Sequence, residues 1–382
     1  MRVDRTGMRP RVLRVTIALS LIVPGLVGVT RATAQSTVVT SRLVCSGLMA
    51  SASIKRGEGT ACLSAGRHSV RFAVIGDYGS GDSLEKDVAD RVKSWNPDFI
   101  ATVGDNNYPQ GSASTIDRNV GQFYHSYIYP YKGSYGGGAT TNRFWPIFGH
   151  RDWDNAGVNR TTPLSGKPYL NYFTLPGNKR YYDFARGPVH FFMLDTDPYR
   201  ERDGTSSTSK QAMWLRRRLA AAKQPWKLVL GHHAPYSSNP STIYGIHGAG
   251  YMRWPFAAWG ATAILSGFYH SYERIFRDGI AYFVLGVSGG NDETGFTDPP
   301  VAGSQFRNNS DHGAVLVTAD RKHITFQFVS RSGETIDSYT IRLPHRLRGS
   351  ARLAPYTRAV DTRESWRVRP SAGDAPIVRS RQ

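Results

Sequence analysis

The chain has little cysteine, a shortage of acidic residues and no apolar run long enough to cross a membrane. Cys45 and Cys62 are the only cysteines in 382 residues, and neither lies in a CxxC or zinc-ribbon spacing, so no thiolate metal site is suggested. The N-terminal apolar run, residues 15–29, holds Pro24 and falls short of the ~20 residues that span a bilayer. The glycine-rich stretch at 133–141, GSYGGGATT, lacks the lysine and hydroxyl residue of a P-loop and reads as a flexible loop. Tyrosines and arginines are plentiful but form no RNA-binding strand signature, and no internal repeat is visible.

What is present is the composition of an enzyme-sized globular protein. With 40% hydrophobic and 20% charged residues, it is neither a disordered tail nor a polytopic membrane protein. Forty-eight basic residues against 29 acidic ones give a net charge of +19, which suits nucleic acid, acidic surfaces or anionic small substrates. The distribution of that charge is more informative than its sum. Arg2, Arg5, Arg9, Arg11 and Arg14 precede the apolar run, and Ala32-Thr33-Ala34 follows it, the pattern of a secretory signal peptide over residues 1–34. Met8 is an alternative start, since everything the signal needs lies after it. Residues 346–382 carry nine arginines against three acidic residues, without periodic apolar positions, and read as a basic, solvated tail. Between them, residues 35–345 hold only +8. An exported chain meets an oxidising compartment, where Cys45 and Cys62 in the 35–68 segment would form a disulfide; the alternative is a pair of buried thiols.

Within the body, residues 69–345, β-rich runs alternate with helical patterns. Residues 69–76 (SVRFAVIG) read as a buried strand, 84–95 as a helix and 98–104 as a second strand. Further strands are expected at 144–148, 189–194, 227–231 and 261–265, and a helix at 209–222 with Leu215 and Leu219 on one face. The runs at 281–287, 314–318, 324–328 and 335–341 have no long helix between them, which predicts antiparallel pairing. The body is therefore α/β with a mixed-sheet second half.

In open α/β sheets, ligands bind beyond the carboxyl ends of strands, so polar residues that follow each apolar run carry the most information. They form a series: GDYG at 76–79, GDNNY at 104–108, GHRD at 149–152, GHH at 231–233 and GFYH at 267–270. Aspartate, tyrosine and histidine gathered at strand ends is metal-site chemistry, and each glycine leaves room for an ion against the main chain.

This series resembles the calcineurin-like metallophosphoesterases, specifically their purple acid phosphatase branch. FFMLDTD at 191–197, WKLVLGHHAPYSS at 226–238 and HSYER at 270–274 extend the resemblance over roughly residues 69–330. It implies an α/β, four-layer sandwich of two mixed β-sheets flanked by helices. It also implies that Asp77, Asp105, Tyr108 and His270 hold a ferric ion, a hard cation that suits a tyrosinate. The family's second ion, a divalent zinc, manganese or iron, bridges through Asp105 to an asparagine and two histidines. Here the asparagine is His150, one histidine is His232, and the other is replaced by Phe268, which cannot coordinate. Asp105, His150 and His232 would still make a three-ligand site. His233 should point away from His232 and pack, because successive strand residues face opposite sides.

Two more positions bear on catalysis. The family histidine beside the reacting phosphate is Arg151 here, which can clamp phosphate but cannot shuttle protons. His247, in IHGAG, resembles the histidine that binds substrate and protonates the leaving group; the alternative is a surface-loop histidine. With His150, these are the candidate catalytic residues. The resemblance implies two-metal, hydroxide-driven hydrolysis of a phosphomonoester by a secreted enzyme. The alternatives are a phosphodiesterase or nucleotide pyrophosphatase on the same scaffold, or a metal- or phosphate-binding pseudoenzyme with a defective second metal site. The substrate expected is a phosphate ester, with no nucleic-acid partner and no transmembrane segment after signal cleavage.

Overall fold

The computed structural model describes residues 69–153, 165–240, 247–290 and 295–344. The signal at 1–34, the segment 35–68 with Cys45 and Cys62, and the tail at 346–382 lie outside the described residues. None of the described helices is long and apolar enough to cross a membrane.

The apolar runs become strands of two mixed sheets. In the first, β1 (Ser69–Ile75) pairs in parallel with β2 (Phe99–Thr102), which pairs in parallel with β3 (Phe144–Trp145). On its other side β1 is antiparallel to β11 (Gly313–Asp320), followed by β12 (His323–Ser330) and β13 (Thr335–Arg342), giving the order β13-β12-β11-β1-β2-β3. The second sheet runs β10 (Ser304–Asn308), β8 (Tyr272–Arg277), β9 (Ile280–Leu285), β7 (Ala263–Gly267), β6 (Trp226–His233), β5 (Val189–Met193), β4 (Tyr182–Arg186). Its centre, β9-β7-β6-β5, is parallel and its margins antiparallel. The antiparallel expectation holds for β11 to β13. The run at 281–287 instead joins the second sheet, parallel to β7 and antiparallel to β8.

The side-chain period of two explains how the layers meet. Phe191, Leu228, Leu265 and Phe283 face the main core shared with the first sheet, where Phe72 meets Phe191 edge-on at 5.0 Å and Phe283 stacks on Phe326 at 4.6 Å. Their neighbours Phe192, Val229, Ile264 and Tyr282 face the other way, onto Ala212, Leu215 and Leu219 of α4 (Lys210–Ala221). A helix thus covers the outer side of the second sheet. The amphipathic α1 (Ser83–Ser94) joins β1 to β2, burying Val88, Ala89 and Val92; it starts where the Asp82 carboxylate accepts from the N–H groups of Leu84 and Glu85. A helical run through α2 (Gln122–Tyr124) and the six-residue α3 (Lys167–Tyr172) fill the connections around β3.

Candidate metal centre

The parallel strands deliver their polar ends to one place. Asp77 follows β1 and Asp105 follows β2, both with positive φ (53° and 51°), and Phe268 follows β7 at 74°. Three non-glycine residues in this sparsely populated region, one beside the other, are strain concentrated at a site. Backbone bonds fix the turns: Asp77 N–H donates to Gly104 O at 3.0 Å, and Gly290 N–H donates to Asp77 O at 2.7 Å. Gly267 is required by space, because a Cβ there would lie 2.4 Å from Asp77 Oδ2 and 3.2 Å from His232 Nδ1.

The side chains then converge. One ligand atom each from Asp77, Asp105 and His232 lie within 4.8 Å of one another, and all three residues are buried. The Tyr108 hydroxyl closes this cluster, 3.1 Å from Asp105 Oδ2, 3.5 Å from Asp77 Oδ1 and 3.2 Å from His270 Nε2. His270 Nε2 also lies 3.4 Å from Asp77 Oδ1. The structure therefore brings together Asp77, Asp105, Tyr108, His232 and His270.

The hydrogen-bond inventory tests whether this cluster fits a cation. His232 Nδ1 is 2.9 Å from Val103 O; a carbonyl only accepts, so Nδ1 carries the hydrogen and Nε2 presents a lone pair. That Nε2 is buried without a hydrogen-bond partner and lies 3.2 Å from Asp105 Oδ1. An imidazole lone pair facing a carboxylate oxygen in a buried space needs a positive charge between or beside them. The titration behaviour agrees. Burial first, then Asp105 and Asp77, push the Tyr108 phenol well above its usual range. Burial opposes charging His232, but Asp105 and Asp77 outweigh it and raise its pKa. Both shifts arise from two buried carboxylates set side by side, a charge pattern that a hard metal ion matches.

The remaining sequence candidates lie around this cluster. Arg151 donates its backbone N–H to Asp105 Oδ1 at 2.7 Å, and its exposed guanidinium stands 5.9 Å from the Tyr108 ring. His150 is outside the buried cluster. Its Nδ1 turns instead toward Asp197 Oδ2, at 3.7 Å, and Arg200 Nη1, at 3.4 Å. His233 faces away from His232, as the strand period predicts, and its Nδ1 is 3.0 Å from Thr196 Oγ1. His247 (φ 75°) sits on a loop held to β6's exit by the bond from Ala249 N–H to Ala234 O, and its Nδ1 is buried without a hydrogen-bond partner. Phe268 donates its N–H to both Asp77 oxygens, at 3.2 and 3.0 Å, while its ring lies 5.6 Å from His232 and 4.8 Å from His233.

Sequence reading missed two supports. Asn106 donates through N and Nδ2 to Asp152 and accepts from Tyr78 and Thr102, clamping the 105–108 turn to 149–152. Asp197 and Arg200 form an ion pair at 2.5 Å beside His150. The FFMLDTD run carries the family resemblance but singles out neither Asp197 nor Arg200.

Comparison with known proteins gives the ancestry of this arrangement. Residues 70–272 match the family model described as calcineurin-like phosphoesterase, and residues 279–338 match that described as iron/zinc purple acid phosphatase-like protein C. Tartrate-resistant acid phosphatase type 5 of Rattus norvegicus is 25% identical over 320 residues, covering 73% of this chain and 91% of that protein. Purple acid phosphatase 7 of Arabidopsis thaliana is 25% identical over 188 residues, 43% of this chain and 53% of that protein. Among solved structures, purple acid phosphatase PPD1 of Lupinus luteus superposes with a TM-score of 0.59 at 20% identity, over 73% of this chain and 54% of the lupin chain. GAP50 of Plasmodium, described as the anchor in the inner membrane complex, superposes at 0.51 and 20% identity, over 72% of this chain and 89% of its own.

Proposed function

The chain belongs to the calcineurin-like phosphoesterase family, and from that premise we propose that it is an exported, metal-dependent hydrolase of phosphomonoesters. The observation that carries this reading is the buried Asp77–Asp105–His232 cluster with the Tyr108 hydroxyl placed against its carboxylates. Asp77, Asp105, Tyr108 and His270 would hold a ferric ion, and its chemistry when bound is Lewis acidity toward a phosphoryl oxygen. Asp105 and His232 would face a second, divalent ion; Phe268 and the turned His150 supply nothing to it in this structure.

The chain's own residues supply binding and proton placement. Arg151 has a planar fork of N–H donors on the exposed side of Tyr108, suited to a phosphoryl group but not to proton transfer. His247 offers an imidazole whose Nδ1 has no hydrogen-bond partner, and it would protonate the departing alkoxide. Asp77 and Asp105 are buried at the centre of the site, and a bound cation would add the positive potential that attracts an anionic ester.

Phe268 favours a second reading, a metal- or phosphate-binding pseudoenzyme. One assay separates the two. The chain from residue 35 to 382 is loaded with iron and offered aryl phosphomonoesters and phosphodiesters. Turnover of the monoester, lost in Asp105→Asn by about 100-fold or more, supports hydrolysis, since each ~1.4 kcal/mol of barrier is tenfold in rate. A metal-loaded chain that turns over neither ester leaves the pseudoenzyme reading standing.

A further inference from the structure

We propose that this protein holds a single metal ion and that the guanidinium of Arg200, fixed by Asp197 and His150, takes the electrostatic place of a second. This rests on the phosphoryl-binding reading above but makes separate demands. The space facing His232 and His233 is filled by the Phe268 ring, which also packs with Ala234, Tyr269 and Val284. Its backbone is held by two contacts to Asp77, so the ring is anchored at the very residue that defines the first site. Benzene carbon offers no lone pair to an ion.

The other would-be ligand is equally committed. His150 Nδ1 faces the Asp197–Arg200 pair, and Arg200 Nη1 reaches both, 2.5 Å from Asp197 Oδ2 and 3.4 Å from His150 Nδ1. The Asp197 side chain is 1% exposed. Asp197 is therefore a buried anion whose charge is already matched by one guanidinium. A divalent ion seated at His150 would stand beside that guanidinium and be repelled by it.

Arg200 has five N–H donors in a rigid fork, and its contacts to Asp197 and His150 are made through Nη1. It can meet a phosphoryl oxygen from the His150 side while Arg151 meets one from the Tyr108 side. A positive charge built into the chain does this without the ligands that Phe268 and the turned His150 do not supply.

The test uses the chain from residue 35 to 382 loaded with excess iron and zinc, then desalted. Metal per chain is counted, and inorganic phosphate is titrated calorimetrically. One ion per chain is expected, with Arg200→Gln weakening phosphate binding at least tenfold while metal content stays at one. Arg200→Lys keeps the charge beside Asp197 but loses the fork, so it should fold like the wild type and bind phosphate with intermediate affinity. Two ions per wild-type chain would overturn the proposal, as would unchanged phosphate affinity in both variants. The hydrolase reading fails differently: one ion and Arg200-dependent phosphate binding without ester turnover removes hydrolysis alone, whereas turnover with two ions removes only the role of Arg200.

Discussion

Tyr108 is the residue on which the identity of the metal depends. Its partly buried phenol stands against two carboxylates, and desolvation followed by the charges of Asp105 and Asp77 pushes it well above its usual range. A ferric ion would displace the phenolic proton and give a tyrosinate, which absorbs visible light; a divalent ion such as zinc would not. Tyr108→Phe removes one oxygen from the cluster and leaves the ring packing. The expected outcome is loss of the visible band of the iron-loaded protein and weaker iron retention during dialysis against a chelator, with thermal stability of the metal-free protein little changed. A band of undiminished intensity in Tyr108→Phe would assign the colour elsewhere. Most of this cluster was legible in the sequence, because Asp77, Asp105, Tyr108, His232 and His270 lie in glycine-led motifs at or just beyond strand ends whose series carries the family resemblance. The direction His150 faces was not legible. It depends on Asp197 and Arg200, about fifty residues away in sequence, whose loop contacts no local pattern encodes.

At the scale of elements, the loop between β5 and α4 is held by an acid. Asp203 accepts from Arg180 Nη2 and the Tyr181 hydroxyl, both at 2.8 Å, and from Lys210 Nζ at 3.0 Å, tying the start of α4 to the segment before β4. Burial would raise its pKa, but Tyr181, Lys210 and Arg180 outweigh it and lower it to about 2. An unfolded aspartate titrates near ~3.9, so as pH falls below about 4 the unfolded chain gains a proton that the folded one refuses. Asp203 therefore contributes stability that is present above about pH 4 and lost as pH falls toward 2. Urea unfolding of the metal-free protein at pH 6, 4 and 3 should show Asp203→Asn less stable than wild type at pH 6, with the difference narrowing at each step down. A constant difference would show that the ion pairs contribute nothing through ionisation. The sequence could not have located this loop's function, nor the strands β4, β8 and β10. Each is a marginal strand mixing charged with apolar residues, such as YERIFR in β8, and β10 has a register shift between Ser304 and Phe306. Buried runs such as Phe72–Ile75 of β1 and all of β7, flanked on both sides by other strands, were plain to read because they are buried on both faces.

For the whole molecule, the distribution of charge bears on where the protein works. The excess of +19 is divided between an N-terminal leader with six arginines and one aspartate, a tail with nine arginines and three acids, and a body of +8 that concentrates aspartates at its site. The two terminal segments thus carry most of the basicity and the body little of it, and a bound cation would supply the local positive potential for an anionic ester. A basic n-region, an apolar stretch too short to span, and an Ala-Thr-Ala boundary are the features of a segment that is read and removed during export. Expression of the full chain in a bacterial host with an intact export pathway should therefore yield a product whose N-terminus is Gln35, recovered outside the cytoplasm. In that compartment Cys45 and Cys62 should resist alkylation until a reductant is added, because an oxidising environment favours the crosslink over two thiols. Intact-mass analysis before and after reduction reads both outcomes at once. A cytoplasmic product with residues 1–34 attached would place this phosphoesterase among internal enzymes. Cysteines alkylated without reductant in a processed chain would keep the export reading and remove the disulfide.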